Sequence, residues 1–359
     1  MDPAIARILD ANTNRASEAL RVLEDFTRFA LGDAYLTGRI KEIRHDIAGS
    51  LAFANSVQIV LSRDVPGDVG RELQTEREYL RSGPRDVAVA AAKRAAQSLR
   101  VLEEYAKMID ADAARRLERL RYCVYEIERA LIIRHDGADR FKDVALYVIV
   151  TESRCAGGWL DTAAQTIQGG ADCIQLREKL LAGSELLRRS RALLEICRPR
   201  GVPLILNDRV DVASAAGADG VHVGQDDLSV ADVRRILGPN RVIGQSTHTI
   251  EQARSAMLAS PDYIAVGPMF ASETKPQDHV PGPELAAAVR QETSLSIIAI
   301  GGINSDNVEE VLATGVDGVC VCGAVARSRD VTAATAELKE RISRALSRRC
   351  VASEPNGGD

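Results

Sequence analysis

Asp172-Cys173-Ile174-Gln175-Leu176-Arg177-Glu178-Lys179 is a short apolar run that ends in a burst of donors and cations and gives way, near Gly183, to a helical pattern. A strand leading into a helix through such a segment is the unit of a parallel α/β fold, and folds of that kind present ligands at the carboxyl ends of their strands. Arg177 and Lys179 stand two residues apart, so on an extended chain they point to the same side. Together they suit an anion with several phosphate oxygens. Taken alone, Gln175 to Lys179 reads equally well as a solvated loop; the surrounding sequence decides.

Outward from this stretch, the same alternation recurs about every 25 to 30 residues. The β-rich runs are Val144 to Val150, Asp172 to Leu176, Pro203 to Leu206, Gly220 to Val223, Val242 to Gln245, Tyr263 to Gly267, Ser296 to Ile300 and Gly318 to Cys322. Their continuous apolar character suits strands buried on both faces, and eight βα units predict a (β/α)₈ TIM barrel over residues 138–348. A doubly wound open sheet is the second choice. Against it, no GxGxxG follows the first run, and polar signatures follow nearly every run instead of marking one switch point.

On a barrel those signatures converge on one face. After the second run come Gln175, Arg177 and Lys179; after the third, Asn207-Asp208; after the fourth, His222 through Asp227; after the fifth, Ser246-Thr247-His248. The sixth leads into Gly267 through Lys275, the seventh into Gly301-Gly302-Ile303 and the eighth into Gly323-Ala324. Asp208 and Asp227 form a sparse oxygen site of the kind Mg²⁺ uses when substrate phosphates supply the remaining ligands. Arg177, Lys179 and Lys275 surround the same place, and glycines after the last two strands expose backbone N–H groups to a single phosphate. No Ser or Cys is paired with a base, and no lysine is isolated in an apolar strand as for a Schiff base. These features predict transfer between two bound substrates, with a diphosphate as leaving group.

The first third differs. From Ile5 to about Arg134 apolar residues such as Ile8, Leu9, Ala16, Ala19, Leu20, Leu23 and Phe26 to Phe29 recur at helical spacing. Arg15 to Phe26 resembles Arg94 to Tyr105, and each copy leads into a second helical stretch, Arg39 to Arg44 and Arg116 to Arg121. Two related helical hairpins in a bundle, residues 1–137, are therefore expected to precede the barrel. Its arginines and glutamates read first as i,i+4 surface pairs. The functional alternative is a phosphate site lined by Arg15, Arg21 and Arg44, with Asp64 or Asp68 near a metal. The polar segment His135 to Arg140 is expected to join the units, and residues 349–359 read as a disordered tail.

At 359 residues the chain exceeds a single core of roughly 250 to 300 residues. Charged residues make up 27% and the net charge is -5, so nucleic acid is not attracted globally and any anion site must be local. No apolar run reaches the roughly 18 residues of a membrane span, and Met-Asp-Pro-Ala lacks the character of a signal peptide. A cytoplasmic protein is expected, with no nucleic-acid or membrane partner. The seven cysteines include no CxxC pair, and Cys320 and Cys322 read as core residues of the last strand.

The motifs QLREK, ILNDRVDVA, ADGVHVGQDDL, GQSTHT, VGPMFASETK and AIGGI, in this order, resemble the thiamine-phosphate synthase family over about residues 143–346. The resemblance implies a transferase that joins hydroxymethylpyrimidine diphosphate to 4-methyl-5-(2-phosphoethyl)thiazole with Mg²⁺, releasing pyrophosphate. It implies that Gln175, Leu176, Arg177, Glu178, Lys179, Asn207, Ser246 and Lys275 bind the pyrimidine diphosphate, with Arg177, Lys179, Ser246 and Lys275 in catalytic roles. Asp208 and Asp227 would hold Mg²⁺, while Ser272, Glu273, Thr274, Gly302, Cys322 and Gly323 would hold the thiazole phosphate. Two departures stand out: Ser272 where the family usually has Thr, and Gly323 where it commonly has Ser. The helical unit resembles the small hydroxymethylpyrimidine-phosphate kinases fused to this synthase, which implies ATP as a further substrate.

Two other readings stand beside this one. A thiazole tautomerase shares the barrel but need not bind a Mg²⁺-diphosphate. A non-catalytic sensor of thiamine intermediates would use the helical unit as an output or dimerisation element, and the chain is compatible with a homo-oligomer. Retention of Asp208, Asp227, Arg177 and Lys275 together weighs against the first, and the two carboxylates weigh against the second.

Overall fold

The computed structural model describes residues 1–52, 56–64, 67, 80–137, 140–271 and 279–353. The chain divides into two compact units, Met1–His135 with Glu292–Ser294, and Asp136–Gln291 with Leu295–Asp359.

The first unit is helical. α1 (Pro3–Asp25) starts with Pro3 in its first turn and with the Asp2 carboxylate accepting from Ala4 N at 2.7 Å, which satisfies one of the amides a helix start leaves open. A π-helical turn, Phe26–Ala30, leads to α2 (Ala34–Ser50); then come α3 (Ser56–Leu61), α4 (Pro84–Ala106) and α5 (Ala111–Gly137). Ala16, Ala19, Leu20 and Leu23 of α1 are buried, as are their counterparts Ala95, Ser98, Leu99 and Leu102 of α4, and these two helices pack together. The repeat is thus two copies of one hairpin start facing each other. Phe29, expected in the stripe, is instead exposed on the π-helical turn with the Arg28 guanidinium over its ring. α5 continues through Gly137, so the expected linker is helical at its beginning.

The duplication extends to charge. Glu24 pairs with Arg21 at 3.6 Å and Arg44 at 3.3 Å; Glu103 pairs with Arg100 at 2.7 Å and Arg121 at 3.0 Å. Each carboxylate sits at the same place in its copy and draws one arginine from its own helix and one from the next. A buried carboxylate needs such partners to offset its desolvation.

The second unit is a closed barrel of eight parallel strands in sequence order: β1 (Leu146–Val150), β2 (Cys173–Leu176), β3 (Leu204–Asn207), β4 (Gly220–Val223), β5 (Val242–Thr247), β6 (Tyr263–Val266), β7 (Ser296–Ile300) and β8 (Gly318–Val321). Closure excludes the open sheet. The surrounding helices are α6 (Trp159–Gln168), α7 (Gly183–Cys197), α8 (Val210–Ala216), α9 (Val230–Leu237), α10 (Ile250–Ala259), α11 (Gly282–Glu292), α12 (Val308–Ala313), α13 (Gly323–Ala326) and α14 (Val331–Ser353). α14 carries residues 349–353, which the sequence placed in the tail, and Arg349 donates to Val316 O at 2.6 Å. No helix among the described residues is long and apolar enough to cross a membrane.

Aspartates organise the amino-terminal end of the barrel. Asp172, Asp219, Asp262 and Asp317 each precede an even-numbered strand and accept from the amide of Leu146, Leu204, Ile243 or Ile297 at the start of the strand before it, at 2.7 to 2.9 Å. Lys339, Arg140 with Arg234, and Arg290 counter the first, third and fourth. That end is built for stability, which leaves the opposite end for chemistry. The interior is filled by alternate residues, including Tyr147, Ile149, Cys173, Ile205, Tyr263, Ala265, Ile298 and Cys320, with Phe141 stacked on Tyr263 at 3.9 Å beneath them.

Candidate active site

The carboxyl ends of the strands surround a cavity of about 390 Å³. Strand alternation determines what faces it. Gln175, Arg177 and Lys179 line it from β2, Asn207 and Asp208 from β3, His222, Gly224 and Asp227 from β4, and Ser246 and His248 from β5. Gly302, Cys322 and Gly323 close the other side.

Leu176 and Glu178, which stand between the inward residues, do not line the cavity. Leu176 is buried in the barrel wall. Glu178 accepts from Glu152 N at 2.7 Å and pairs with Arg189 at 3.5 Å. Their side chains serve the wall and the loop after β1, so the structure does not bring them to the cavity with Arg177 and Lys179. Ser272, Glu273, Thr274 and Lys275 lie outside the described residues.

Lys179 Nζ lies 3.3 Å from Asp208 Oδ2. Asp208 and Asp227 are within hydrogen-bonding reach of each other, and Asp227 also accepts from Gly224 N at 2.7 Å. Burial, then the neighbouring Asp227, raises the Asp208 carboxyl above the usual aspartate range, with Lys179 acting in the opposite direction. Asp208 also has φ 61°, a left-handed conformation that is costly outside glycine and that recurs at functional sites. A divalent cation would relieve the repulsion between the two carboxylates, so the donor set fits Mg²⁺. Among the described residues no group of three or more metal-ligating side chains exists; the ion would need oxygens from substrate and water, as Mg²⁺ commonly does.

Beneath the cavity runs a hydrogen-bonded series of side chains whose two tyrosines the sequence did not single out. Gln175 Nε2 donates to Tyr147 Oη at 2.6 Å, Tyr147 Oη lies 3.1 Å from Tyr263 Oη, and Tyr263 Oη lies 2.9 Å from His222 Nδ1. His222 Nε2 lies 2.8 Å from Ser246 Oγ. Burial, reinforced by His248 and opposed by Asp227, lowers the His222 pKa to about 4, so the imidazole is neutral at pH 7. Burial likewise holds both tyrosines well above their ordinary value. Tyr263 has its place because Gly244 has no side chain: a Cβ there would collide with the tyrosine ring.

On the far side, Gly302 has φ 66° and a Cβ there would meet Phe270 at 2.7 Å and Ala271 O at 2.8 Å. Both Cys320 and Cys322 line the cavity, Cys320 buried in the core and Cys322 partly buried against it. Burial pushes the Cys322 thiol up to about 11, so it stays protonated at neutral pH and is a poor nucleophile. Arg327 also lines this side, its guanidinium 3.4 to 3.8 Å from where a Gly323 side chain would begin.

The structure does not bring the candidates of the helical unit together as one site. Arg21 and Arg44 come together, but around Glu24; Asp64 pairs with Arg7 at 3.7 Å; Arg15 is exposed; Asp68 lies outside the described residues. A mirrored set, Arg100 and Arg121, surrounds Glu103.

Residues 146–325 match the family described as thiamine monophosphate synthase, and residues 7–130 match the ThiD2 family. A thiamine-phosphate synthase of Rhodopirellula baltica is 41% identical over 331 residues, 90% of this chain and 88% of its own length. One from Synechocystis is 37% identical over 341 residues, 95% of this chain and 97% of its own. Among solved structures, a thiamine phosphate pyrophosphorylase from Pyrococcus furiosus aligns with TM-score 0.54 and 33% identity, covering 58% of this chain and all of its own.

Proposed function

Because this chain belongs to the thiamine-phosphate synthase family, with a ThiD2-family unit ahead of its barrel, we propose how its residues divide the work of that transfer. The substrates are 4-amino-2-methyl-5-(diphosphooxymethyl)pyrimidine and 4-methyl-5-(2-phosphoethyl)thiazole, and the products are thiamine phosphate and pyrophosphate.

Asp208 and Asp227 would hold Mg²⁺, which supplies Lewis-acid neutralisation of the diphosphate when bound. Arg177 and Lys179 bind the diphosphate oxygens and stabilise the charge that grows as the C–O bond breaks. Lys179 would exchange its contact with Asp208 for one with the diphosphate. The aminopyrimidine delocalises the positive charge left on its methylene carbon, and a neutral His222 adds no repulsion there. The thiazole nitrogen then attacks that carbon, with its phosphate held against Gly302, Cys322 and Gly323. Such a route asks for positioning and electrostatics more than for a general base, in keeping with the protonated Cys322 thiol.

The observation that carries this reading is the cluster of Lys179, Asp208 and Asp227 in the cavity. It favours diphosphate chemistry over tautomerisation, which need not bind a Mg²⁺-diphosphate. The test is the full-length chain with both substrates and Mg²⁺: thiamine phosphate and pyrophosphate should appear in equal amounts and chelation should stop both. No condensation would overturn the reading.

For the helical unit the ThiD2 match favours a kinase that makes the pyrimidine diphosphate from the monophosphate and ATP. Supplying the full chain with pyrimidine monophosphate, ATP and thiazole phosphate tests this. Thiamine phosphate formed only when ATP is present supports it; none formed, while the diphosphate is condensed normally, removes it.

A further inference from the structure

The side-chain series under the cavity has a direction. A carboxamide nitrogen only donates, so the bond from Gln175 Nε2 makes Tyr147 Oη an acceptor and frees the Tyr147 proton for Tyr263 Oη, 3.1 Å away. Tyr263 then donates its own proton to His222 Nδ1 at 2.9 Å. An imidazole that accepts at Nδ1 carries its proton at Nε2, and that N–H donates to Ser246 Oγ at 2.8 Å. At one end the Gln175 carboxamide oxygen is left as an acceptor, and at the other the Ser246 hydroxyl proton is left as a donor. Both residues line the cavity.

An acceptor on β2 and a donor on β5, both facing the cavity, match an aminopyrimidine, which offers an exocyclic N–H donor beside a ring-nitrogen acceptor. A pyrimidine with oxygen in place of that amino group offers the opposite pattern. We propose that Tyr147, Tyr263 and His222 are positioning residues that fix the hydrogen-bond polarity of Gln175 and Ser246, and that this polarity selects the 4-amino over the 4-oxo pyrimidine diphosphate. This specificity rests on the synthase reading; the order of protons in the metal-free chain does not.

The series is suited to the task because most of it is buried. Tyr263 is fully buried, Tyr147 and Gln175 are 1% and 2% exposed, and His222 is 7% exposed. Phe141 stacks on Tyr263 and meets the Tyr147 ring edge-on at 5.7 Å, and His222 lies against Tyr263 at 5.5 Å. With the rings held in place and the tyrosines buried, a reversal of the series would leave a buried group unpaired.

Two measurements test the proposal. Nitrogen NMR of the full-length, substrate-free chain, with His222 assigned by comparison with His222→Gln, should show a protonated Nε2 and an unprotonated Nδ1. The Nδ1–H form would overturn the proposal whatever the chain catalyses. In steady-state kinetics the wild type should prefer the amino substrate over its 4-oxo analogue by at least about a hundredfold in kcat/KM, the order expected when a polar site meets an unmatched group. Tyr263→Phe, which removes the donor to His222, should cut that preference by tenfold or more while leaving the KM for thiazole phosphate unchanged. Tyr147→Phe, which keeps the ring against Phe141, serves as the second variant and should also reduce the preference. A structural role alone would depress both substrates equally, so an unchanged ratio in folded variants would overturn the proposal. So would a wild type that accepts both pyrimidines alike.

Discussion

Lys179 Nζ stands 3.3 Å from Asp208 Oδ2, across the gap between the ends of two neighbouring strands. Both residues line the cavity, and Asp208 is held in a left-handed backbone conformation beside Asp227. Asp208→Asn keeps the size of the side chain but removes its charge. It should lower kcat/KM for condensation by about a hundred- to a thousandfold, the scale of losing one preorganised electrostatic partner of the transition state. Near-normal turnover would remove Asp208 from the catalytic centre.

Mg²⁺ binding should release protons. The folded, metal-free Asp208 has a raised pKa because of burial and the neighbouring Asp227. The sign follows from linkage: the ionised carboxylate is a cost to the metal-free fold, fully present above the raised pKa and absent below the unfolded value. A bound cation offsets that cost. Mg²⁺ affinity should therefore fall as pH falls toward the raised value, and calorimetry in two buffers of different ionisation enthalpy should reveal proton release. Equal apparent enthalpies in both buffers would contradict it.

Gly244→Ala should destabilise the barrel. A Cβ at this position collides with the Tyr263 ring, and Tyr263 cannot retreat because Phe141 is stacked on it at 3.9 Å. Overpacking of this kind costs about 1 to 3 kcal/mol. The midpoint of urea unfolding should shift accordingly, and an unshifted midpoint would mean that the ring has room to move.

How much of this was legible in the sequence follows from the length scale of each signal. The eight strands are visible because each is an apolar run next to a helix, and all eight lie within two residues of the expected bounds at either end. The strand-end residues are visible because charge stands out against an apolar run. Period-two alternation could also have separated Gln175, Arg177 and Lys179 from Leu176 and Glu178, since the two sets face opposite ways. The links from His222 through Tyr263 to Tyr147 were hidden, because strand-borne tyrosines are ordinary in β-rich runs and the two tyrosines are 116 residues apart. In the helical unit the repeat was visible and its arginines read first as surface pairs, but the partners that join one helix to the next, Arg44 to Glu24 and Arg121 to Glu103, lie beyond i,i+4 spacing and were not.

His222 should make the fold sensitive to mild acid. Its folded pKa is depressed to about 4 by burial, below the ordinary 6.5. A depressed histidine favours the folded state above the unfolded pKa, and that contribution is lost as pH falls from about 6.5 toward 4. The full amount is on the order of 3 kcal/mol at 1.36 kcal/mol for each pH unit. His222→Gln, which does not titrate, should flatten the fall in unfolding free energy across this window. The same slope in both proteins would assign the acid sensitivity to other groups.

The duplicated ion pairs give the last prediction. Glu103 is almost fully buried, and the Arg121 side chain that meets it at 3.0 Å is 9% exposed; Glu24 meets an Arg44 that is 24% exposed at 3.3 Å. Removing one partner of a buried pair leaves the other charge uncompensated and costs about 3 to 5 kcal/mol, whereas exposure to solvent lowers that cost. Glu103→Gln should therefore destabilise the protein more than Glu24→Gln does, both read by urea unfolding of the full chain. The asymmetry also bears on function. If Arg21 and Arg44 belong to the scaffold, Glu24→Gln should lower stability while leaving the KM for the pyrimidine monophosphate unchanged. If they belong to a phosphate site, freeing them from Glu24 should change that KM, and the duplicated pairs would then have diverged in role.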